Sequence, residues 1–133
     1  MSMPGITVDL SLGFEDAIER VTAALAEEGF GVISRIDIDD KFRDKLGIEF
    51  RPYSILGACN PALAHKALSA EPGVGLLLPC NVCVEKIDSG SRVYIVDAES
   101  MMSSAGLDDV ESISELGQDA SERLGRVAQA LAE

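Results

Sequence analysis

The sequence predicts an α+β domain in which an antiparallel sheet carries two long helices on one face. Segments that alternate apolar and polar residues, as half-buried strands do, lie between two long segments whose apolar residues recur at helical spacing. The chain has 133 residues, of which 47% are hydrophobic and 26% are charged. This is the length and composition of one globular unit with its own core. We therefore expect a single domain over residues 1–133.

Strand and helix patterns alternate in the first half of the chain. The elements expected there are a strand at residues 6–10, a helix from Phe14 that is capped by Ser11 and ends at Gly29, a strand at residues 30–38, one helical turn or a loop at residues 39–47, and a third strand at residues 48–57. Pro52 interrupts the third strand. Because proline lacks the N–H that a central ladder needs, we expect an edge, a bulge or a bend there.

The second half begins with a short helix and ends with a long one. Asn60 followed by Pro61 is a capping residue before proline at the first helical position, so it predicts a short extra helix near residues 61–69. The later elements expected are a buried strand at residues 74–78, a hairpin of strands at residues 81–87 and 92–96, a loop at residues 101–106, and a helix from Val110 that becomes regular near Gln118.

One face of this sheet would have no helix to cover it. The residues expected on that face are Ile33, Cys83, Ile87, Tyr94 and Val96. Such a face is too apolar for full exposure to water, and a second copy of the chain would bury it. The pattern therefore predicts a homodimer.

Charge and cysteine content narrow the partners and the compartment. The formal net charge of −12 argues against a nucleic-acid or anionic-membrane surface, because phosphate binding relies on a clustered positive field. No apolar stretch approaches the roughly 20 residues of a membrane span, and the N-terminal sequence lacks a signal-peptide pattern. Three cysteines is an odd count that fits free thiols in a reducing compartment. We expect a cytoplasmic protein.

The stretch at residues 56–84 holds all three cysteines and the single histidine. It contains two similar tripeptides, Cys59-Asn60-Pro61 and Pro79-Cys80-Asn81. Cys80 and Cys83 match Cys-x-x-Cys, but residues three apart on a strand point to opposite faces, so this pair is a poor chelate or disulfide. There is no second Cys-x-x-Cys, which excludes a structural zinc site of four sulfurs.

A long-range group is the better candidate site. Cys59 lies just before the helix that Asn60 caps, where free N–H groups stabilise a thiolate, although a small buried thiol in a tight turn is the alternative. His65 lies one turn into this helix and is otherwise a surface or capping residue. If Cys59, His65 and Cys80 converge, they could bind a soft metal ion with an open position. They could equally form a thiolate nucleophile assisted by imidazole.

The same stretch resembles a known family. The runs LGACNPALAHKAL and EPGVGLLLPCNVCV, together with the preceding strand and helix pattern, resemble domain-of-unknown-function family 302 over almost the full chain. The resemblance implies the order strand, helix, four strands, helix, similar to one repeat of the TATA-box-binding-protein type fold, and usually a homodimer. The residues that match the family cluster are Cys59, Asn60, Pro61, His65, Lys66, Pro79, Cys80 and Asn81. Cys83 departs from the pattern.

Three functional hypotheses follow, because the family has no established activity. The first is a dimeric module that binds a small ligand or a soft metal ion. Its candidate ligand-binding residues are Cys59, Asn60, His65, Lys66, Cys80 and Asn81, with Cys59, His65 and Cys80 as the candidate metal ligands. The second is a thiol-dependent enzyme in sulfur or redox metabolism. The third is a structural or interaction subunit without site chemistry.

Overall fold

The computed structural model describes residues 5–133, apart from the side chain of Asp108. The elements in chain order are β1 (Gly5–Leu10), α1 (Phe14–Glu27), β2 (Gly31–Asp37), α2 (Ile38–Leu46), β3 (Tyr53–Cys59), α3 (Pro61–Ala70), a 3₁₀ helix (Pro72–Leu77), β4 (Cys80–Ile87), β5 (Gly90–Val96), α4 (Ala98–Ser104), a second 3₁₀ helix (Leu107–Asp109) and α5 (Glu111–Ala132). The predicted α+β class is confirmed.

The described strands form one five-stranded antiparallel sheet in the order β1-β5-β4-β3-β2. Alternation along β4 turns Val82 and Val84 toward the helices, and their partners Ile95 and Val93 on β5 do the same. These four side chains join the buried residues of α1 and α5 in one main hydrophobic cluster. Both long helices therefore pack on one face of the sheet, and we call the opposite face the open face.

The apolar pattern predicted the buried face and the end of helix α1, but the cap that was predicted is not formed. Ala17, Val21 and Leu25 recur at helical spacing and are fully buried. The helix ends as predicted, with Gly29 in the left-handed region at φ 84° and the N–H of the next residue bonded to the Leu25 carbonyl. The predicted cap was wrong: Gly13 occupies the N-cap position without a side-chain hydrogen bond, so Ser11 does not cap α1.

The segment between β2 and β3 differs from the prediction. β2 has a bulge between Val32 and Ser34, which leaves Ile33 66% exposed. The region predicted as one turn or a loop is the nine-residue helix α2, none of whose residues is buried. Pro52 precedes β3 instead of interrupting it, so residues 48–52 do not belong to the strand. β3 therefore keeps partners on both sides, β2 and β4.

Residues 74–78 were predicted to form a buried strand, and this is wrong. They belong mainly to the 3₁₀ helix Pro72–Leu77, in which Val74 is fully buried but Leu76 is 93% exposed. Pro72 presets the first turn, and the Glu71 carboxylate accepts a hydrogen bond from the N–H of Gly73 at 3.0 Å. An apolar run alone does not distinguish a strand from other buried structure.

The loop predicted at residues 101–106 is also wrong, because α4 runs over most of this segment. Asp97 caps α4 by accepting a hydrogen bond from the N–H of Ser100 at 3.1 Å. Helix α5 starts at Glu111 and runs unbroken through Gly117, instead of becoming regular near Gln118. A Cβ at position 117 would lie 3.5 Å from the Cα of Glu99, an ordinary contact distance, so α5 packs directly against α4 at this position.

The hairpin prediction is confirmed, with β4 and β5 joined by a turn before Gly90.

A second, smaller hydrophobic cluster lies apart from the main one. Its buried members are Ala67, Val74, Met102 and Ile113. They come from α3, the first 3₁₀ helix, α4 and α5, so the end of the sheet near Cys80 has its own helical cover. No helix within residues 5–133 combines the length and apolar character needed to cross a membrane.

Candidate functional site

A cavity of about 250 Å³ lies where the two hydrophobic clusters meet. One wall is the end of the sheet, with Ala58, Cys59, Pro79 and Cys80. Helices α3, α4 and α5 supply the other walls, mostly through alanine, leucine and methionine side chains. The cavity therefore lies at the stretch that the sequence singles out.

The two tripeptides lie side by side in this wall of the cavity. Ala58 pairs with Cys80 and Gly57 pairs with Asn81, so β3 ends where β4 begins. A Cβ at Gly57 would collide with the Ser34 hydroxyl and would lie 2.7 Å from Cγ of Pro79, so this close approach requires glycine. The Leu78–Pro79 peptide bond is cis.

Asn60 positions the start of α3. Its Oδ1 accepts a hydrogen bond from the N–H of Leu63 at 3.2 Å, which confirms the predicted cap. Asn60 is buried, and its Nδ2 would lie 2.9 Å from a Cβ at Gly29, just beyond the end of α1. Arg123 of α5 donates to the Glu28 carbonyl at 3.2 Å in the same region. These contacts join three helices around Cys59 at the rim of the cavity.

The two thiols at the cavity differ in environment. Cys80 is 6% exposed, and Cys59 is half-buried. Burial, with a smaller contribution from the nearby Cys59, raises the pKa of the Cys80 thiol to about 11. Cys80 is therefore a protonated thiol at neutral pH, and a thiolate nucleophile at this position is disfavoured. All three cysteines are free.

His65 does not join the two thiols. His65 and Lys66 are exposed on α3 and lie outside the cavity lining, which α3 supplies through Leu63, Ala64 and its later apolar residues. Asn81 is also exposed and lines a groove on the open face. Within residues 5–133, apart from the side chain of Asp108, no three His, Cys, Asp or Glu residues form a group that could hold a metal ion. The structure brings together Cys59 and Cys80 and leaves the predicted three-residue convergence unformed.

Cys83 lies on the open face, as strand alternation predicts. Burial raises the pKa of the Cys83 thiol and that of the Tyr53 hydroxyl, with which it interacts. Beside them, the buried Glu85 carboxylate accepts hydrogen bonds from the Tyr94 hydroxyl and from Nε of Arg51, the latter at 2.8 Å. Burial by itself would raise the pKa of Glu85, but these hydrogen bonds outweigh it and hold the pKa below its usual range. A groove of about 850 Å³ runs over this face.

Sequence reasoning missed the part of the cavity wall that comes from the C-terminal half. Met102, Ile113 and Leu116 all line the cavity. Met102 lies on α4, within the segment predicted as a loop, whereas Ile113 and Leu116 lie on the predicted C-terminal helix, whose apolar spacing does not indicate which surface they contact. The signal that could have found α4 is Asp97, a strong N-cap residue directly before a run of helix-compatible residues.

The fold and site define an α+β protein with a largely apolar cavity that has two thiols in its wall. The chain belongs to the family described as Domain of unknown function DUF302, whose model matches residues 6–131. The chain is similar to an uncharacterized conserved DUF302 protein from Bacillus stearothermophilus, known from a crystal structure. The TM-score is 0.84 at 29% sequence identity, covering 98% of this chain and 99% of that one. No curated protein matches this chain.

Proposed function

We propose that this protein is a single-domain, dimeric, cytoplasmic module that binds a small ligand in the cavity beside Cys59 and Cys80. The observation that carries the proposal is that both cysteine-bearing tripeptides meet at one cavity of about 250 Å³. A concave site with apolar walls and few polar groups is the common form of a small-molecule site. The lining favours a small molecule over a soft metal ion as the ligand, because His65, the third candidate metal ligand, lies outside it.

Filling the cavity tests the ligand site. Ala64 lines it from α3, whereas Ala62 on the same helix is exposed and lies outside the lining. Native mass spectrometry of freshly purified protein and a fragment library should detect binding to the wild type. The Ala64→Phe variant should weaken that binding at least about tenfold, while Ala62→Phe should leave it unchanged. Equal binding by Ala64→Phe and wild type, or no binding at all, would contradict the ligand-site proposal.

The open face supports the dimeric part of the proposal. Its half-buried residues include Cys83, Tyr94 and Val96. Two ion pairs border them, Asp9 with Arg92 at 2.7 Å and Glu85 with Arg51 at 2.8 Å, so these four formal charges cancel. In a chain of net charge −12, a surface without net charge is where another copy meets the least repulsion.

A single added charge tests the dimer. Thr7 is exposed and lines the groove of the open face, and Ala23 is exposed on α1. We expect wild type to run at twice the chain mass in light scattering, Thr7→Glu to shift toward the monomer, and Ala23→Glu to behave as wild type. A monomeric wild type, or a dimer that Thr7→Glu leaves intact, would overturn this assignment.

We also propose that the domain is arranged like one repeat of the TATA-box-binding-protein type fold. The two long helices on one face of an antiparallel sheet support this likeness. It does not carry over to DNA binding, because a net charge of −12 repels phosphates and because one fold serves many functions.

A thiol-dependent enzyme is the second candidate, supported by two thiols in one cavity wall. The raised pKa of Cys80 leaves Cys59 as its nucleophile. Peptide-resolved labelling with iodoacetamide should then show Cys59 reacting faster than a thiol in the unfolded chain. If Cys59 reacts no faster than that, the enzyme candidate fails and the binding module stands.

A further inference from the structure

The side chains in the wall of the cavity include almost no nitrogen or oxygen and no charge. Among the described residues that line it, only Asn60 carries a side-chain nitrogen or oxygen, and no charged residue contributes. The remaining side-chain heteroatoms are the sulfurs of Cys59, Cys80 and Met102. Sulfur is polarisable and a weak hydrogen-bond partner, so it packs against apolar groups and aromatic rings.

The carbonyl oxygen of the one polar side chain in the wall is already hydrogen-bonded. Oδ1 of Asn60 accepts the N–H of Leu63. More generally, every buried side-chain nitrogen or oxygen among the described residues has a hydrogen-bond partner. A charged ligand in the cavity would lose its hydration without gaining a side chain of opposite charge, which costs several kcal/mol or more. The raised pKa of Cys80 is consistent with surroundings that disfavour charge.

The size of the cavity and its mouth further define the ligand. A dry aliphatic cavity of about 150 Å³ accepts benzene. This cavity is larger, at about 250 Å³, so it has room for one ring with a short alkyl group or for two fused rings. Ile33 and Leu68 both line it and are 66% and 42% exposed. The mouth is therefore apolar as well.

We propose that the ligand of this cavity is a neutral apolar molecule somewhat larger than benzene, and not an anion, a cation or a metal ion. This inference rests on the proposed function, because it names the ligand class of the same cavity. It adds a selectivity: the shape of the cavity would admit a charged ring of the same size, but a lining without any charged side chain disfavours such a ring.

The experiment compares single-ring probes of similar size on the intact protein. Ethylbenzene is the neutral probe, benzoate the anion, benzylammonium the cation, and Zn²⁺ the metal alone. Titration calorimetry should show binding of ethylbenzene that Ala64→Phe removes and Ala62→Phe retains. Benzoate and benzylammonium should bind at least about 100-fold more weakly, because their charges would be buried without a partner. Zn²⁺ should show no binding that depends on the cavity.

A second measurement keeps the test valid if Ala64→Phe does not fold. In wild type, ethylbenzene should slow the labelling of Cys80 by iodoacetamide, and benzoate should not. If a charged probe or Zn²⁺ binds as tightly as ethylbenzene and protects Cys80, the inference on ligand class is overturned while the ligand site stands. If neither these probes nor a fragment library binds, the proposed function fails and the inference fails with it.

Discussion

The cavity and the open face use the same strand in opposite ways. On β4, Cys80 faces the cavity and Cys83 faces the open face, three residues away. The cavity wall contains no charged side chain, and the carbonyl oxygen of its one side-chain amide is hydrogen-bonded within α3. The open face instead buries a carboxylate, Glu85, and satisfies it with Tyr94 and Arg51. Buried side chains are therefore apolar at the cavity but include a hydrogen-bonded carboxylate at the open face. Only the cavity is suited to an apolar ligand.

The cavity and the open face also stabilise the fold through different interactions. Side chains around the cavity contribute through apolar burial and packing, which truncation removes. Glu85 contributes through charged hydrogen bonds, but the Arg51 side chain is 53% exposed, so solvent screens part of that ion pair. We therefore expect the largest stability changes at the cavity and smaller, pH-dependent ones at the open face.

The largest expected effect comes from enlarging the cavity. Ile113 is 1% exposed and lines it, so Ile113→Ala should destabilise the fold by about 2–4 kcal/mol in urea unfolding. The matched truncation on β2, Ile36→Ala, removes a side chain that is 44% exposed and should cost less than about 1 kcal/mol. Equal losses at the two positions would show that the cavity wall is not a tightly packed region.

A smaller effect is expected from Glu85→Gln, at about 1–2 kcal/mol at pH 7, because the charged partner of Tyr94 and Arg51 is lost. Since folding lowers the pKa of Glu85, its contribution is present above the unfolded-state pKa and is lost as the pH falls through the folded-state pKa. Urea unfolding between pH 7 and pH 3 should show a shallower acid loss in the variant. If the free energy of unfolding falls equally with pH in both proteins, Glu85 does not contribute to the pH dependence of stability.

The last prediction requires no mutation and concerns the rate at which Cys80 is labelled. With its pKa raised to about 11, Cys80 should carry a thiolate fraction at pH 7 that is about 100-fold lower than that of an ordinary thiol. Iodoacetamide should therefore modify Cys80 far more slowly in the folded protein than in urea, and the rate should rise between pH 7 and pH 9. Fast, pH-independent labelling of folded Cys80 would contradict the buried, neutral cavity wall.

Local sequence signals predicted much of the architecture because their causes are local. The apolar spacing that includes Ala17, Val21 and Leu25 predicted a helix whose buried stripe the structure confirms. The Asn60 cap needed only the N–H of Leu63, three residues away. Strand alternation was enough to place Cys80 and Cys83 on opposite faces, which demoted the Cys-x-x-Cys match.

Other expectations failed where the deciding contact lies far along the chain. The run at residues 74–78 is apolar enough for a strand, but no strand within residues 5–133 pairs with it, and it forms most of a 3₁₀ helix. Helix α4 carries little apolar pattern of its own, and it packs against α5 near Gly117. His65 lies on the correct helix but on its exposed side.

By itself, the sequence determined the α+β class, the faces of its clearest helices and strands, and the stretch in which the site lies. Only the tertiary structure decided that the two tripeptides meet, that His65 stays outside, and that a cavity remains between two hydrophobic clusters. The physical reason is that periodicity records whether a residue is buried, but not against which partner. A gap in packing depends on how β3, β4, α3, α4 and α5 fit together, and no local pattern carries that information.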